Sequence, residues 1–128
     1  MRVTIYIFIG GGLGALLRHL LSHTLNGRAV DVWLQGIPLG TLSANLIGSF
    51  LLGFIVGALP TSTPLKSGLT TGLMGGLTTF STLSLESARL LESGQSLRAL
   101  LHLTLHLSGG ILLAIAGLSL GLVLGRKT

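Results

Sequence analysis

The chain has 128 residues, 48% of them hydrophobic and only 9% charged, with a mean hydropathy of +0.83. Those proportions lie outside the range of ordinary soluble domains and mark an integral membrane protein. Eight Lys and Arg against three Asp and Glu give a net charge of +5, but the basic residues are scattered singly, which argues against nucleic-acid binding; with no cysteine, disulfides, thiolate metal sites and thiol nucleophiles are excluded.

At about 20 residues per crossing plus short loops, the length accommodates four spanning helices in a single membrane domain, residues 1–128. Four helices leave little room for an internal site, so a site between subunits is expected. Twenty glycines fit that expectation, because close helix contact in lipid favours small residues. The first helix is predicted over about 3–21, apolar apart from Thr4 and Arg18, with Gly10 and Gly14 four apart on a smooth stripe. Three further apolar segments follow, and Gly10-Gly11-Gly12 interrupts any smooth signal-peptide core, so this stretch reads as a spanning helix. Arg18, near its end, reads either as an anchor snorkelling to the headgroups or as a cation at the mouth of an anion pathway. Residues 22–40, with Asn26-Gly27, Arg28, Asp31, Trp33 and Pro38, read as a turn-rich loop with an interfacial aromatic.

The second helix is predicted over about 41–59, with Gly48, Gly53 and Gly57 at small-residue spacings and one amide, Asn45, among them. An unpaired amide in hydrocarbon is costly, so Asn45 is either interhelical glue or a donor aimed at a passing anion. The third helix, about 66–92, has a centre of glycines and hydroxyls. Gly72, Gly75 and Gly76 there either permit close packing or loosen the helix, which a membrane tolerates only beside protein or a watery cavity. Thr78, Thr79, Ser81, Thr82 and Ser84 cover more of the circumference than bonding back to the preceding turn requires, so some are expected to line a polar path. Glu86 and Arg89, three apart, are placed to pair on one face. After Ser93-Gly94-Gln95-Ser96, a fourth helix over about 97–124 carries the ridge Gly117, Gly121, Gly125 and the pair His102 and His106, with no carboxylate or cysteine expected nearby to complete a metal site.

Four spans place both termini on one side. That side then carries Arg2, Lys66, Arg126 and Lys127, and the other Arg18, Arg28, Arg89 and Arg98, an even division for which the positive-inside rule gives no orientation. Either such a chain inserts both ways up, so that two opposed copies would pack as an antiparallel pair, or the loop boundaries differ by a few residues and a weak bias sets one orientation.

The strings Gly40-Thr41-Leu-Ser-Ala-Asn45-Leu and Gly75-Gly76-Leu-Thr-Thr-Phe80-Ser81-Thr82, with the early Gly14-Xaa-Xaa-Xaa-Arg18, resemble the Fluc/CrcB family of fluoride channels across nearly the whole chain. The resemblance implies an all-α membrane protein of four transmembrane helices with a broken third helix, assembled as a dual-topology antiparallel homodimer that exports fluoride passively across the bacterial inner membrane. It implies a structural sodium ion at the centre of the dimer, held by carbonyls of Gly75 and Thr78; oxygen ligands from unwound backbone suit a hard cation. Carried over by residue, it implies that Asn45 donates to fluoride, Phe80 presents its ring edge, Ser81 and Thr82 form part of a hydroxyl track, Arg18 sits in an aqueous vestibule, and Thr41 belongs with these ion-binding residues.

The family string usually continues with a second phenylalanine where this chain has Leu83, and Gly110 and Ala114 stand where hydroxyls of the track are expected. These departures leave room for a heterodimer whose partner keeps the complementary residues. A small dual-topology, proton-coupled exporter of organic cations is the nearest rival, but it needs a carboxylate deep in the membrane, and the first helix has none. An enzyme needs an acid, base or nucleophile pair within hydrogen-bond reach, and three carboxylates and four histidines present no evident constellation in sequence, so none is expected.

Overall fold

The computed structural model describes residues 1–25, 36–59 and 61–126. The expected turn-rich loop around Trp33 lies mostly outside the described residues. Among those described, the chain is helical without strands. Helix α1 is Arg2–Leu25, α2 is Leu39–Ala58, α3 spans 64–77, α4 is Phe80–Glu92 and α5 is Ser96–Gly125.

Three of these, α1, α2 and α5, are long and apolar enough to cross a membrane. Neither α3 nor α4 is: the thirteen residues of α4 reach about 20 Å at 1.5 Å per residue, short of a hydrocarbon core about 30 Å thick. The first helix runs beyond its expected end to Leu25, so Arg18 lies about two turns inside it.

Helix boundaries follow local chemistry. Pro38 precedes α2 with extended dihedrals. Thr63 caps α3, its hydroxyl accepting from the Lys66 N–H at 3.1 Å, and Pro64 occupies the first helical position, where a missing N–H costs nothing. The Lys66 ammonium reaches back to the Leu59 carbonyl at the end of α2. Helix α4 stops at Ser93, and Gly94 takes φ +74, so that the Gly94 N–H bonds to Leu91 and the Gln95 N–H to Leu90. That reversal folds α4 back against the first turns of α5.

Packing relies on glycine more than on large side chains. A Cβ on Gly57 would lie 2.9 Å from the Leu122 nitrogen, one on Gly121 2.8 Å from the Ala58 nitrogen, and Gly53 and Gly117 face main chain in the same way, so α2 and α5 touch backbone to backbone. A second such seam joins α1 to α3, where Gly10 and Gly14 meet Gly68, Leu73 and Leu77, and Gly72 and Gly76 meet Ile7 and Gly11. Helix α2 also touches α1 and α3, and around Ala44, Met74 and Leu77 it forms a small buried cluster with Leu21, Leu51, Ile55 and Leu73 against it. Thr41, Thr79, Ser87, His102 and His106 are buried while most large aliphatic side chains point outward, the reverse of a soluble domain.

Candidate functional site

Glycines do not interrupt the helix. Residues Gly68–Met74 loosen into π-type turns, Gly75–Leu77 return to α geometry, and the chain leaves the helix only at Thr78 (φ −82, ψ 153) and Thr79 (φ −152, ψ 118) before α4 begins at Phe80. Both readings of the glycines meet at Gly72, which lies in the loosened stretch and against α1, while Gly76 only packs against α1. Gly75 is different: it is exposed, and a Cβ there would meet nothing within 4 Å.

The two extended residues are held from α2. Asn45 Oδ1 accepts the Thr79 N–H at 2.7 Å, and Asn45 Nδ2 donates to the Thr79 carbonyl at 3.1 Å. In an unbroken helix the Thr79 N–H would bond to the Gly75 carbonyl, four residues back; the asparagine takes that donor and leaves the carbonyl without its helical partner. Asn45 is therefore interhelical glue in this geometry, and these two bonds use its oxygen and one of its two amide hydrogens. Gly48, one turn further along α2, makes room for the Thr78 methyl group.

Thr79 then starts α4. Its hydroxyl accepts the Thr82 N–H at 3.2 Å, lies 3.0 Å from the Thr82 hydroxyl and 3.1 Å from the Ser81 hydroxyl, so three hydroxyls converge at the first turn. The other hydroxyls of this stretch bond back along their own helix: Thr78 to the Met74 carbonyl at 2.9 Å and Ser84 to the Phe80 carbonyl at 2.9 Å. Phe80, at 80% exposure, and Ser81 project from the same turn to the outside of the subunit.

Of the residues expected to form the site, Asn45, Phe80, Ser81, Thr82, Gly75 and Thr78 thus gather at one break. Thr41 stands one turn before Asn45 on α2, and its hydroxyl donates to Glu86 Oε1 at 2.7 Å. Arg18 stays on α1, partly buried, and no hydrogen bond or ion pair joins it to the group around Asn45. Leu83, where the second phenylalanine was expected, is buried. Gly110 faces Ser49, and Ala114 offers its carbonyl to the contact with Gly53, so both positions serve the α2–α5 seam.

Sequence reasoning missed one group. Glu86 takes Thr41 as its hydrogen-bond partner and lies beside His102, its Oε2 3.3 Å from His102 Nε2, an approach that is close but not aligned as a hydrogen bond. The histidine pair therefore does have a carboxylate beside it, supplied from α4 by the turn at Gly94 and not by neighbours in sequence. Glu86 and His102 lie equally far from Gly94 on opposite sides, the one signal by which a reading of the hairpin would have joined them. The trio of hydroxyl, carboxylate and imidazole does not make a nucleophile relay, because Thr41 donates to the carboxylate and not to the imidazole that would have to act as its base.

A family model described as CrcB-like protein, Camphor Resistance (CrcB), matches residues 5–118. Relatives named "Fluoride-specific ion channel FluC" include one from Serratia proteamaculans, 40% identical over 113 residues that cover 85% of each chain. Another, from Magnetococcus marinus, is 39% identical over 126 residues, 94% of this chain and 95% of its own. The Staphylococcus aureus protein "Fluoride-specific ion channel FluC 1" is 42% identical over 121 residues, 91% of this chain and 94% of its own. With the family model spanning most of its length, the chain belongs to the CrcB-like protein family.

Proposed function

We propose that this chain is a fluoride-specific ion channel, a multi-pass protein of the plasma membrane that lets fluoride leave the cell passively. The relatives' names support the ion and the transport class, and three long apolar helices support the membrane. The observation that carries the mechanism is the asparagine-clamped break at Thr78–Thr79, which puts hydroxyls, the Phe80 ring and the Gly75 carbonyl, freed from its helical partner, at one point.

On this reading α3 and α4 together make the fourth crossing, broken at its centre, because neither half spans the hydrocarbon alone. Irregular backbone at membrane depth needs protein or water around it. The exposed Gly75, Phe80 and Ser81 are therefore assigned to the contact between two antiparallel copies, in keeping with the even charge division. A second, non-identical chain as partner would serve the same geometry.

The donor set at Gly75 and Thr78 fits a sodium ion: the Gly75 carbonyl has lost its helical partner, lies in an exposed position, and belongs to the negative end of α3. Such an ion would fix the two breaks against each other. Fluoride, small and strongly hydrated, needs several modest donors that replace its water without trapping it. Asn45, Ser81, Thr82 and the electropositive edge of the Phe80 ring are assigned that role, with Thr41 and Arg18 toward the aqueous ends.

The test is efflux of fluoride from potassium-loaded liposomes containing this chain alone, started with valinomycin and followed with a fluoride electrode against chloride controls. Fast fluoride-selective efflux is expected. Its absence in folded, dimeric protein would direct the reading to a heterodimer or another substrate.

A further inference from the structure

His102 is completely buried, and both of its ring nitrogens lack a hydrogen-bond partner; so do Glu86 Oε2 and His106 Nε2. An imidazole always carries at least one N–H, so a buried ring of this kind needs an acceptor. Glu86 Oε2 lies 3.3 Å from the ring Nε2 and is an acceptor. His106 meets His102 edge to face, with ring centroids 4.4 Å apart. Its Nδ1 lies 2.9 Å from the His102 carbonyl oxygen, which only accepts, so Nδ1 bears the hydrogen and Nε2 is the nitrogen left to take up a proton. The Glu86 side chain is 15% exposed in the single chain, while His102 behind it is fully buried.

We propose that Glu86, His102 and His106 form a proton-binding site in which carboxylate and imidazole share a proton, and that a further proton taken up here sets the pH dependence of ion flow through the neighbouring break. A hydronium ion at the exposed edge of Glu86 gives up the proton: its O–H bond breaks, an N–H or O–H bond forms within the group, and a water molecule is left behind. With it the group gains one positive charge. The groups that bear on this charge are Thr41 from α2, which donates to Glu86; Arg89 from Glu86's own helix; and His106 from His102's. The carboxylate joins three helices, since Thr41 on α2, Glu86 on α4 and His102 on α5 meet there. Thr41 sits one turn from Asn45, so charge added at Glu86 acts next to the clamp of the break.

The transport part of this inference rests on the fluoride-channel reading; the proton site itself does not. The first measurement is nitrogen NMR of the four imidazoles in the full-length reconstituted protein. His102 is expected to titrate with Glu86, its midpoint moving about tenfold in proton concentration in Glu86→Gln. A midpoint that stays put in that variant overturns the shared-proton site whatever the transport result. The second measurement is fluoride efflux across mildly acidic to mildly alkaline pH, corrected for protein-free vesicles. Flux is expected to rise severalfold on acidification in the wild type, to lose that dependence in His102→Gln, and to keep it in His23→Gln, whose exposed ring faces His19 and not this group. A flat wild-type profile, a profile that falls with acid, or one unchanged in His102→Gln overturns the inference. Absence of flux at every pH counts against the channel reading, and the NMR titration then decides the proton site alone.

Discussion

Helix α2 holds two polar contacts one turn apart, and they are built to opposite standards. At Asn45 the amide's oxygen and one N–H meet complementary backbone groups of Thr79, at 2.7 and 3.1 Å. At Thr41 the hydroxyl finds Glu86, but beyond it four buried polar atoms of Glu86, His102 and His106 have no aligned partner. A satisfied contact fixes geometry, because any movement gives up bonds that hydrocarbon cannot replace. An unsatisfied one is sensitive to every proton and charge that reaches it. The first belongs to architecture and the second to response.

The sharpest way to break this contrast is Asn45→Leu. It keeps volume but strips both partners from Thr79, and each buried backbone group left unpaired costs about 1–3 kcal/mol. Fluoride flux is expected to vanish and thermal stability in detergent to fall by the largest amount of the set. If flux persists, the clamp does not hold the pathway.

Glu86→Leu comes next, with an expected cost of about 2 kcal/mol because Thr41 loses its acceptor and His102 the carboxylate beside it. The double change Glu86→Leu with His102→Leu should recover part of that loss, since removing both partners leaves fewer stranded groups, and a double-mutant cycle measures the difference. Losses that simply add would mean the two side chains do not interact. Thr41→Val removes one hydroxyl of matching shape; a smaller cost of about 1 kcal/mol is expected, with a weakened pH response of flux. Ser84→Ala, on an exposed face and bonded only to its own helix, should stay within about 0.5 kcal/mol of the wild type and leave flux unchanged.

Much of the fold was legible in the chain. Apolar runs gave α1, α2 and α5, and Ser93-Gly94 announced the reversal after α4, because positive φ there favours glycine. Small-residue spacing announced two ridges but not their partners, since Gly53 and Gly117 read alike until the helices are laid together. One of the two readings of Gly72, Gly75 and Gly76 puts the loosening there, two to six residues before the break, where the chain leaves the helix at Thr78. What decides its position is Asn45, distant in sequence, competing for the Thr79 N–H. Glu86 was assigned to Arg89 by the spacing rule for one helix face, and that local rule had no means of weighing a partner across the hairpin.

The backbone seam between α2 and α5 has a mechanical consequence. Main chain has no rotamers to yield, so these two helices form a stiff plate whose register cannot slide without driving Phe54 or Leu118 into a neighbouring carbonyl. Asn45, one anchor of the polar groups, is mounted on that plate; His102 stands on the first turns of α5, before the seam begins, and Thr79 and Glu86 belong to the segment that leans on it. The seam between α1 and α3 is locked in the same way, and Asn45 ties the joint at Thr78–Thr79 to α2, so any working motion is left to α4 beyond its first turn.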